Sequence, residues 1–209
     1  MLVVLGCLLT EAGIKIKEEM LEHFKEHEIL CIDQNPPGIL FEYPAIKYAA
    51  KLAVEMNEPV LYVHTKGAGN PIPWYVYNKI PKLSIMDYKP ENAKAEDWQP
   101  SVRKMWYYEF NGERLKTYLK ELRSDIPMVV CPFSEPKKST WQNGFIMNPL
   151  AGAELLKHLH QSADRNYFEH VFENIDSITV KGIVYNDIAR NLDETNYKMH
   201  KYIWTFYDK

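Results

Sequence analysis

The chain has 209 residues and a nearly balanced formal charge of -3 at pH 7. This length suits one domain with a full hydrophobic core, so we expect a single domain over residues 1–209. The balanced charge argues against wholesale neutralisation of a nucleic-acid backbone, so we expect no nucleic-acid partner. Any site for an anion must be local.

The three cysteines are Cys7, Cys31 and Cys131. They are too few and too irregularly spaced for a disulfide framework or a zinc site. Each lies in an apolar run typical of a strand, and we expect all three to be small, buried hydrophobic residues. Reduced cysteines fit a cytoplasmic location. The opening apolar run, 2–9, is too short to span a membrane, and we predict no transmembrane segment.

The first third of the chain alternates between strand and helix patterns. Apolar runs predict strands over 2–9, 28–32 and 59–63. Helical spacing of apolar residues predicts helices over 14–27 and 43–58. Gly13 is expected to break the chain before the first helix. This order predicts an α/β fold with a mostly parallel central sheet and helices on both faces.

The rest of the chain begins with a segment rich in proline and aromatic residues, 67–99, which we predict to be a lid or a binding loop. Beyond it, helices are predicted over 100–110, 112–122, 149–160 and 166–174. Strands are predicted over 126–131, 141–147 and 177–185. Residues 202–207 could add a final strand or a packing tail.

Polar residues follow the third predicted strand where that strand must end: His64, Thr65, Lys66 and Gly67. In an open α/β sheet, ligands bind just beyond the carboxyl ends of strands. A lysine suits a phosphate, and a glycine lets the backbone approach a ligand closely. The block therefore indicates a site for an anionic substrate, and a surface loop that binds nothing is the competing interpretation.

Asp33 ends the second predicted strand, where carboxylates often bind the ribose or base of a nucleoside. A turn stabilised by the aspartate side chain explains the same residue equally well. Arg103 opens a predicted helix and could bind a phosphate through two hydrogen bonds. A solvated basic turn is the competing and commoner explanation for Arg103.

Trp141 and Asn143 precede Gly144 and Phe145 and could form a polar ledge on which a ring stacks. An edge strand that ends near a bulge is the alternative.

Four segments together resemble a group of bacterial glycosyltransferase-like proteins. They are Phe41-Glu42-Tyr43-Pro44, Tyr62-Val63-His64-Thr65-Lys66-Gly67, Val102-Arg103-Lys104-Met105-Trp106-Tyr107-Tyr108 and Gln142-Asn143-Gly144-Phe145. The match spans roughly residues 1–160, and the His-Thr-Lys-Gly block is its most specific part. The resemblance implies a nucleotide-diphospho-sugar transferase of the GT-A type. Such an enzyme would move a sugar from a nucleotide-sugar to a glycan acceptor in surface-polysaccharide assembly.

The resemblance also implies roles for particular residues. The donor-binding set would be Asp33, His64, Thr65, Lys66 and Arg103, and the acceptor side would carry Trp141 and Asn143. A base would be a carboxylate, for which Asp87, Asp97 and Glu135 are the candidates. The domain would divide into a nucleotide-binding half at 1–66, the loop at 67–99, and an acceptor-side half with C-terminal packing at 100–209.

The chain lacks the Asp-x-Asp pair that holds a divalent metal in this fold. Lys66 or Arg103 would instead supply the countercharge to a leaving diphosphate. We therefore predict no metal ligands and no firm cofactor, and Mn²⁺ or Mg²⁺ stays an open alternative. The family's Gly-Asn order is reversed as Asn143-Gly144, and its Trp-Arg pair is Val102-Arg103. The missing Asp-x-Asp pair and the altered later motif favour one alternative, a non-catalytic nucleotide- or glycan-binding module that keeps the fold. A structural or interaction protein is the second alternative.

Overall fold

The fold is an α/β arrangement in which helices flank a six-stranded sheet. The computed structural model describes residues 1–33, 42–65, 103, 106–122, 125–132, 140, 144–162 and 167–182. The strands are β1 (Leu2–Cys7), β2 (Glu28–Asp33), β3 (Val60–His64), β4 (Met128–Cys131), β5 (Phe145–Met147) and β6 (Thr179–Gly182). The helices are α1 (Glu11–His23), α2 (Tyr43–Met56), α3 (Gly112–Glu121) and α4 (Pro149–His158), and residues 106–109 are also helical.

The strands lie in the order β2-β1-β3-β5-β4-β6. β1 pairs in parallel with β2 and β3, and β4 pairs in parallel with β6. β5 lies between β3 and β4 and is antiparallel to both. The predicted α/β class is confirmed, but the sheet is mixed. The sequence alone does not predict that the sheet is mixed, because apolar periodicity identifies a strand without fixing its direction.

Helices cover both faces of the sheet, as predicted. Alternate residues of a strand point to opposite faces. The odd-numbered residues of β1 pack with α1, α3 and residues 106–110 in one hydrophobic cluster. The even-numbered residues of β1 pack with α2 and α4 in a second cluster. Because β1 is covered on both sides, every one of its residues is buried, which explains its uninterrupted apolar sequence.

The first helix begins earlier than its apolar pattern predicts. Thr10 caps it, accepting a hydrogen bond on Oγ1 from the Gly13 backbone nitrogen at 3.0 Å. Gly13 therefore lies inside the first turn, and the expectation that it breaks the chain is wrong. A Cβ at this position would lie 1.9 Å from the Leu8 carbonyl oxygen, so the close approach of the preceding backbone requires glycine.

Other predicted elements differ mainly at their ends. α2 stops at Met56, where Asn57 takes a left-handed conformation with φ of 52°. The helix predicted over 166–174 is a single 3-10 turn at Tyr167–Glu169 followed by turns. The predicted loop at 67–99 and the terminal segment at 202–207 lie outside the described residues. No helix in the described part of the chain is long and apolar enough to cross a membrane.

A fully buried carboxylate joins the helical segment before α3 to α3 itself. Glu109 accepts hydrogen bonds at 3.1 Å on both carboxylate oxygens from Nη1 of Arg114, and it also accepts one from the hydroxyl of Tyr118. Burial and the charge of Glu109 raise the pKa of Tyr118, so its hydroxyl stays protonated and donates. A buried charge needs such partners, so this network fixes the angle between the two segments.

Asn148 connects the start of α4 to the chain around β4. Its Oδ1 accepts from the backbone nitrogens of Ala151 at 2.9 Å and Met128 at 3.1 Å. Its Nδ2 donates to the carbonyl oxygen of Ile126 at 2.8 Å. The side chain thus caps the helix and pairs with two backbone groups of a neighbouring segment, of which the Met128 nitrogen is buried.

We predict that Asn148→Ala lowers the free energy of unfolding by about 2–4 kcal/mol, because it removes the cap and leaves buried backbone groups unpaired. Urea denaturation followed by circular dichroism measures this loss. Lys157→Ala, on the exposed side of the same helix, is the matched control and should change the free energy by less than about 0.5 kcal/mol. Equal effects of the two substitutions would contradict this role for Asn148.

Candidate functional site

The candidate site lies where the carboxyl ends of β1, β2 and β3 meet. Cys7 lies opposite Asp33, and Gly6 lies opposite His64 in the two parallel ladders. The chain passes from β1 to β2 on one side and then crosses to β3 on the other. Such a reversal of strand order is a topological switch point, where open α/β sheets bind ligands. Asp33 and His64 therefore come to the same edge of the sheet.

Thr65 ties the end of β3 to the end of β1. Its backbone nitrogen donates to the Gly6 carbonyl oxygen at 2.9 Å, and its Oγ1 accepts from the Leu8 nitrogen at 3.0 Å. The residue is only 2% exposed. Two hydrogen bonds to the chain that leaves β1 hold this edge in place, so Thr65 stabilises the base of the site.

His64 is held from two sides in a buried position. Its Nδ1 lies 3.2 Å from Oε1 of Glu42, the residue that precedes α2. Its ring stacks near Tyr62, with centroids 6.3 Å apart and planes at 15°. A carboxylate at Nδ1 fixes the orientation of an imidazole and the position of its proton. The arrangement can therefore present one defined form of the imidazole to a proton transfer or to an anion.

Trp106 contacts His64 from a further side. Its ring centroid lies 5.5 Å from that of His64. Its Nε1 is buried, and no hydrogen-bond partner for it exists among the described residues. A Cβ on Gly144 would lie 2.2 Å from this Nε1, so only glycine leaves room for the indole. Gly144 thus sets how far Trp106 enters the site.

The four segments that carry the family resemblance meet at this point. Each contributes one residue to a chain of contacts from Glu42 to His64, from His64 to Trp106, and from Trp106 to Gly144. We call these four residues the edge cluster. Their positions in the sequence are far apart, so the folded chain brings together residues that no local pattern connects.

Arg103 lies on the same helical segment as Trp106 and is engaged by α1. Its Nε and Nη2 donate to the two carboxylate oxygens of Glu19, each at 3.2 Å. The hydroxyl of Tyr107 also donates to Glu19 at 2.9 Å, and the Tyr107 ring stacks on His23 at 3.8 Å. Burial and the charge of Glu19 raise the pKa of Tyr107. Contact of Arg103 with a diphosphate stays a prediction.

Several residues of the predicted site lie outside the described part of the chain. They are Lys66, Trp141, Asn143 and the candidate bases Asp87, Asp97 and Glu135. Asp33 is exposed at the end of β2. The roles of all seven residues stay predictions.

The described residues of the edge do not fit a divalent metal of the kind that the family resemblance implies. Mg²⁺ and Mn²⁺ take several oxygen ligands, whereas the end of β3 offers an imidazole that faces one carboxylate. Among the described residues, no three His, Cys, Asp or Glu side chains form a group that could hold a metal ion. No step of the mechanism below therefore passes through a metal.

Sequence reasoning missed the contacts of His64 with Glu42 and Trp106, and the contact of Trp106 with Gly144. Each of these residues was part of a quoted segment, but an acid before a proline, a tryptophan on an apolar helical face and a lone glycine each have commoner explanations. Their long sequence separation hides the contact. Sequence reasoning was also wrong about Cys31, which is exposed, whereas Cys7 and Cys131 are buried as expected.

Comparison with protein-family models, with curated proteins and with solved structures finds no match to this chain.

We predict that Gly144→Ala lowers the free energy of unfolding by about 1–3 kcal/mol, because the new methyl group displaces the buried indole of Trp106. In a Trp106→Phe background, the indole nitrogen that the new methyl group meets is absent. Gly144→Ala should then lower the free energy of unfolding by clearly less. A double-mutant cycle by urea denaturation measures the coupling. An identical cost of Gly144→Ala in both backgrounds would refute the contact.

Proposed function

We propose that this chain is a nucleotide-sugar transferase of the GT-A type that moves a sugar to a glycan acceptor in surface-polysaccharide assembly. One observation carries the proposal: the four segments that resemble bacterial glycosyltransferase-like proteins converge on the edge cluster. That cluster lies at a switch point of the sheet, where a nucleotide would bind. The contacts from Glu42 to His64, from His64 to Trp106 and from Trp106 to Gly144 bring one residue of each segment together, which supports a shared site.

In the proposed donor site, each of several neighbouring residues has a different role. His64 and Thr65 are buried and bonded to the protein, so they form the floor. Lys66 follows directly in the chain and is the residue that we propose to contact the diphosphate. Asp33, exposed at the end of β2, would contact the nucleoside. The resemblance also assigns Arg103 to the donor site, where it would have to exchange Glu19, which accepts from its Nε and Nη2, for the diphosphate.

In the proposed reaction, a hydroxyl oxygen of the acceptor bonds to the anomeric carbon of the donor. The bond from that carbon to the diphosphate oxygen breaks, and the diphosphate leaves with the electron pair. A carboxylate accepts the hydroxyl proton if the anomeric centre inverts. Fixed cations such as Lys66 can stabilise the leaving charge in place of a metal. Trp141 and Asn143 would border the acceptor.

The test is thermal unfolding against a panel of nucleotide-sugars and nucleoside diphosphates, with and without Mn²⁺. A ligand that binds only the folded chain raises the melting temperature by mass action. At a concentration about 100-fold above the Kd, one nucleotide-sugar should raise it by roughly 5–10 °C without metal. Lys66→Ala should abolish this shift.

Lys25→Ala is the matched control, since it removes one exposed lysine just beyond the end of α1 and should keep the shift. Full donor affinity in Lys66→Ala would disprove the assignment of Lys66. A shift that requires Mn²⁺ would disprove a metal-independent site.

The departures from the family pattern favour one alternative, a non-catalytic module that binds a nucleotide or a glycan. Release of a nucleoside diphosphate from the bound donor, even by slow hydrolysis, distinguishes the two. Binding without any release supports the module. A panel without any shift supports instead an interaction protein that has no nucleotide site.

A further inference from the structure

Two of the cysteines lie side by side on neighbouring strands. In the parallel ladder of β1 and β2, Cys31 is opposite Leu5 and Cys7 is opposite Asp33. Cys7 and Cys31 are therefore offset by two positions and share one face of the sheet. The Cys7 thiol donates to the Leu5 carbonyl oxygen at 3.4 Å, and it lies close enough to the Cys31 thiol for each to shift the pKa of the other.

The two thiols differ in their exposure. Cys7 is buried, at 1% exposed, in the cluster beneath α1. Cys31 is exposed on β2, which is the edge strand of the sheet. A reagent in solution can therefore reach Cys31, while Cys7 stays behind it as a protected partner.

The surroundings of the pair favour a thiolate at Cys31. The hydrogen bond from Cys7 lowers the pKa of Cys31 to about 6, against the opposing effect of partial burial, and the positive charge of Lys17 on α1 lowers it further. The same hydrogen bond, burial and the negative charge of Asp33 raise the pKa of Cys7. The opposite directions of the two pKa shifts make Cys31, which is also the exposed thiol, the better nucleophile of the pair.

We propose that Cys31 and Cys7 form an oxidant-responsive pair, in which Cys31 reacts with a hydroperoxide and Cys7 then closes a disulfide. This inference does not depend on the proposed function. An accessible thiolate next to a second thiol is the arrangement that oxidation-sensing cysteines use.

The chemistry balances with a hydroperoxide as the oxidant. The Cys31 thiolate attacks a peroxide oxygen, the O–O bond breaks, and hydroxide or alkoxide leaves, so that Cys31 becomes a sulfenic acid. Cys7 loses its proton and attacks the Cys31 sulfur, and water leaves as the disulfide forms. The two thiols supply the two electrons that reduce the peroxide, and a thiol reductant reverses the change.

Closing the disulfide requires a small movement of the edge strand. Residues placed diagonally on neighbouring strands have Cα atoms about 7–8 Å apart, whereas disulfides need about 4.4–6.8 Å. Among the described strands β2 is paired on one side only, so it can twist or shift along β1 at Cys31 without disturbing a further described strand.

The first test is the pH dependence of alkylation by iodoacetamide, measured at Cys31 by peptide mass spectrometry. The rate at Cys31 should rise with pH with a midpoint of about 6. The midpoint is measured instead of a rate at one pH. A low pKa raises the fraction of thiolate but also weakens the thiolate as a nucleophile, and the two effects partly cancel in a single rate. Cys131, fully buried in the same chain, should stay unmodified.

Substitution of Cys7 tests its positioning role. Cys7→Ala removes the donor and should move the midpoint up towards about 8.5, the value of an ordinary thiol. Cys7→Ser keeps a donor and should hold the midpoint low. An ordinary midpoint in the unsubstituted chain, or one unmoved by Cys7→Ala, would overturn the assignment of Cys31 as an activated thiolate.

The second test treats the folded chain with hydrogen peroxide and follows its intact mass. The unsubstituted chain should lose two hydrogens and recover them with a thiol reductant, and Cys131→Ala should behave in the same way. Cys7→Ala and Cys7→Ser should each stop at a sulfenic acid that dimedone captures. Overoxidation of Cys31 while Cys7 stays reduced, or inertness of Cys31, would overturn the proposal.

Discussion

The parallel pairing of β1 with both β2 and β3 is the constraint on which the rest of the structure depends. It brings the ends of three strands to one edge and places Cys7 beside Asp33 and Gly6 beside His64. The hydrogen bonds of Thr65 to the chain leaving β1 then hold that edge closed. This pairing places His64 of the edge cluster at the same edge of the sheet as Asp33, and it sets Cys31 diagonally opposite Cys7.

The chain keeps its buried charges in pairs that link helices. Glu109 binds Arg114 and Tyr118, and Arg103 binds Glu19 on α1. Removing Arg114 or Glu19 leaves the buried member of its pair, Glu109 or Arg103, without its countercharge, which costs more than the pair itself contributes. Both pairs include or flank the helical segment that carries Trp106. The position of Trp106 in the edge cluster is therefore fixed by electrostatics as well as by packing.

The sequence predicted most of the fold because its signals are local. Apolar runs located the strands, and the spacing of apolar residues located α1 and α2. The direction of β5 was not predictable, since it depends on which strands it joins. Gly13 was misread because its role is set by the nearby Leu8 carbonyl and not by its own flexibility.

The site was predictable only in part, because only some of its residues have a local signal in the sequence. His64 and Asp33 follow strands, so a general rule about strand ends found them. Glu42, Trp106 and Gly144 have no such local signal, and their relation to His64 appears only in the folded chain. Cys31 was expected to be buried because its strand is apolar. An edge strand, however, is covered less completely than a central one, and its sequence does not reveal which it is.

The edge cluster and the cysteine pair are connected through β1, in which Gly6 lies opposite His64 and Cys7 lies opposite Asp33. Asp33, the predicted nucleoside contact, is two residues beyond Cys31 and directly opposite Cys7. A disulfide that draws Cys31 towards β1 must also move the backbone that carries Asp33. Oxidation would then act on the nucleotide end of the proposed site while leaving His64 and Thr65 in place, because these are anchored on the other side of β1.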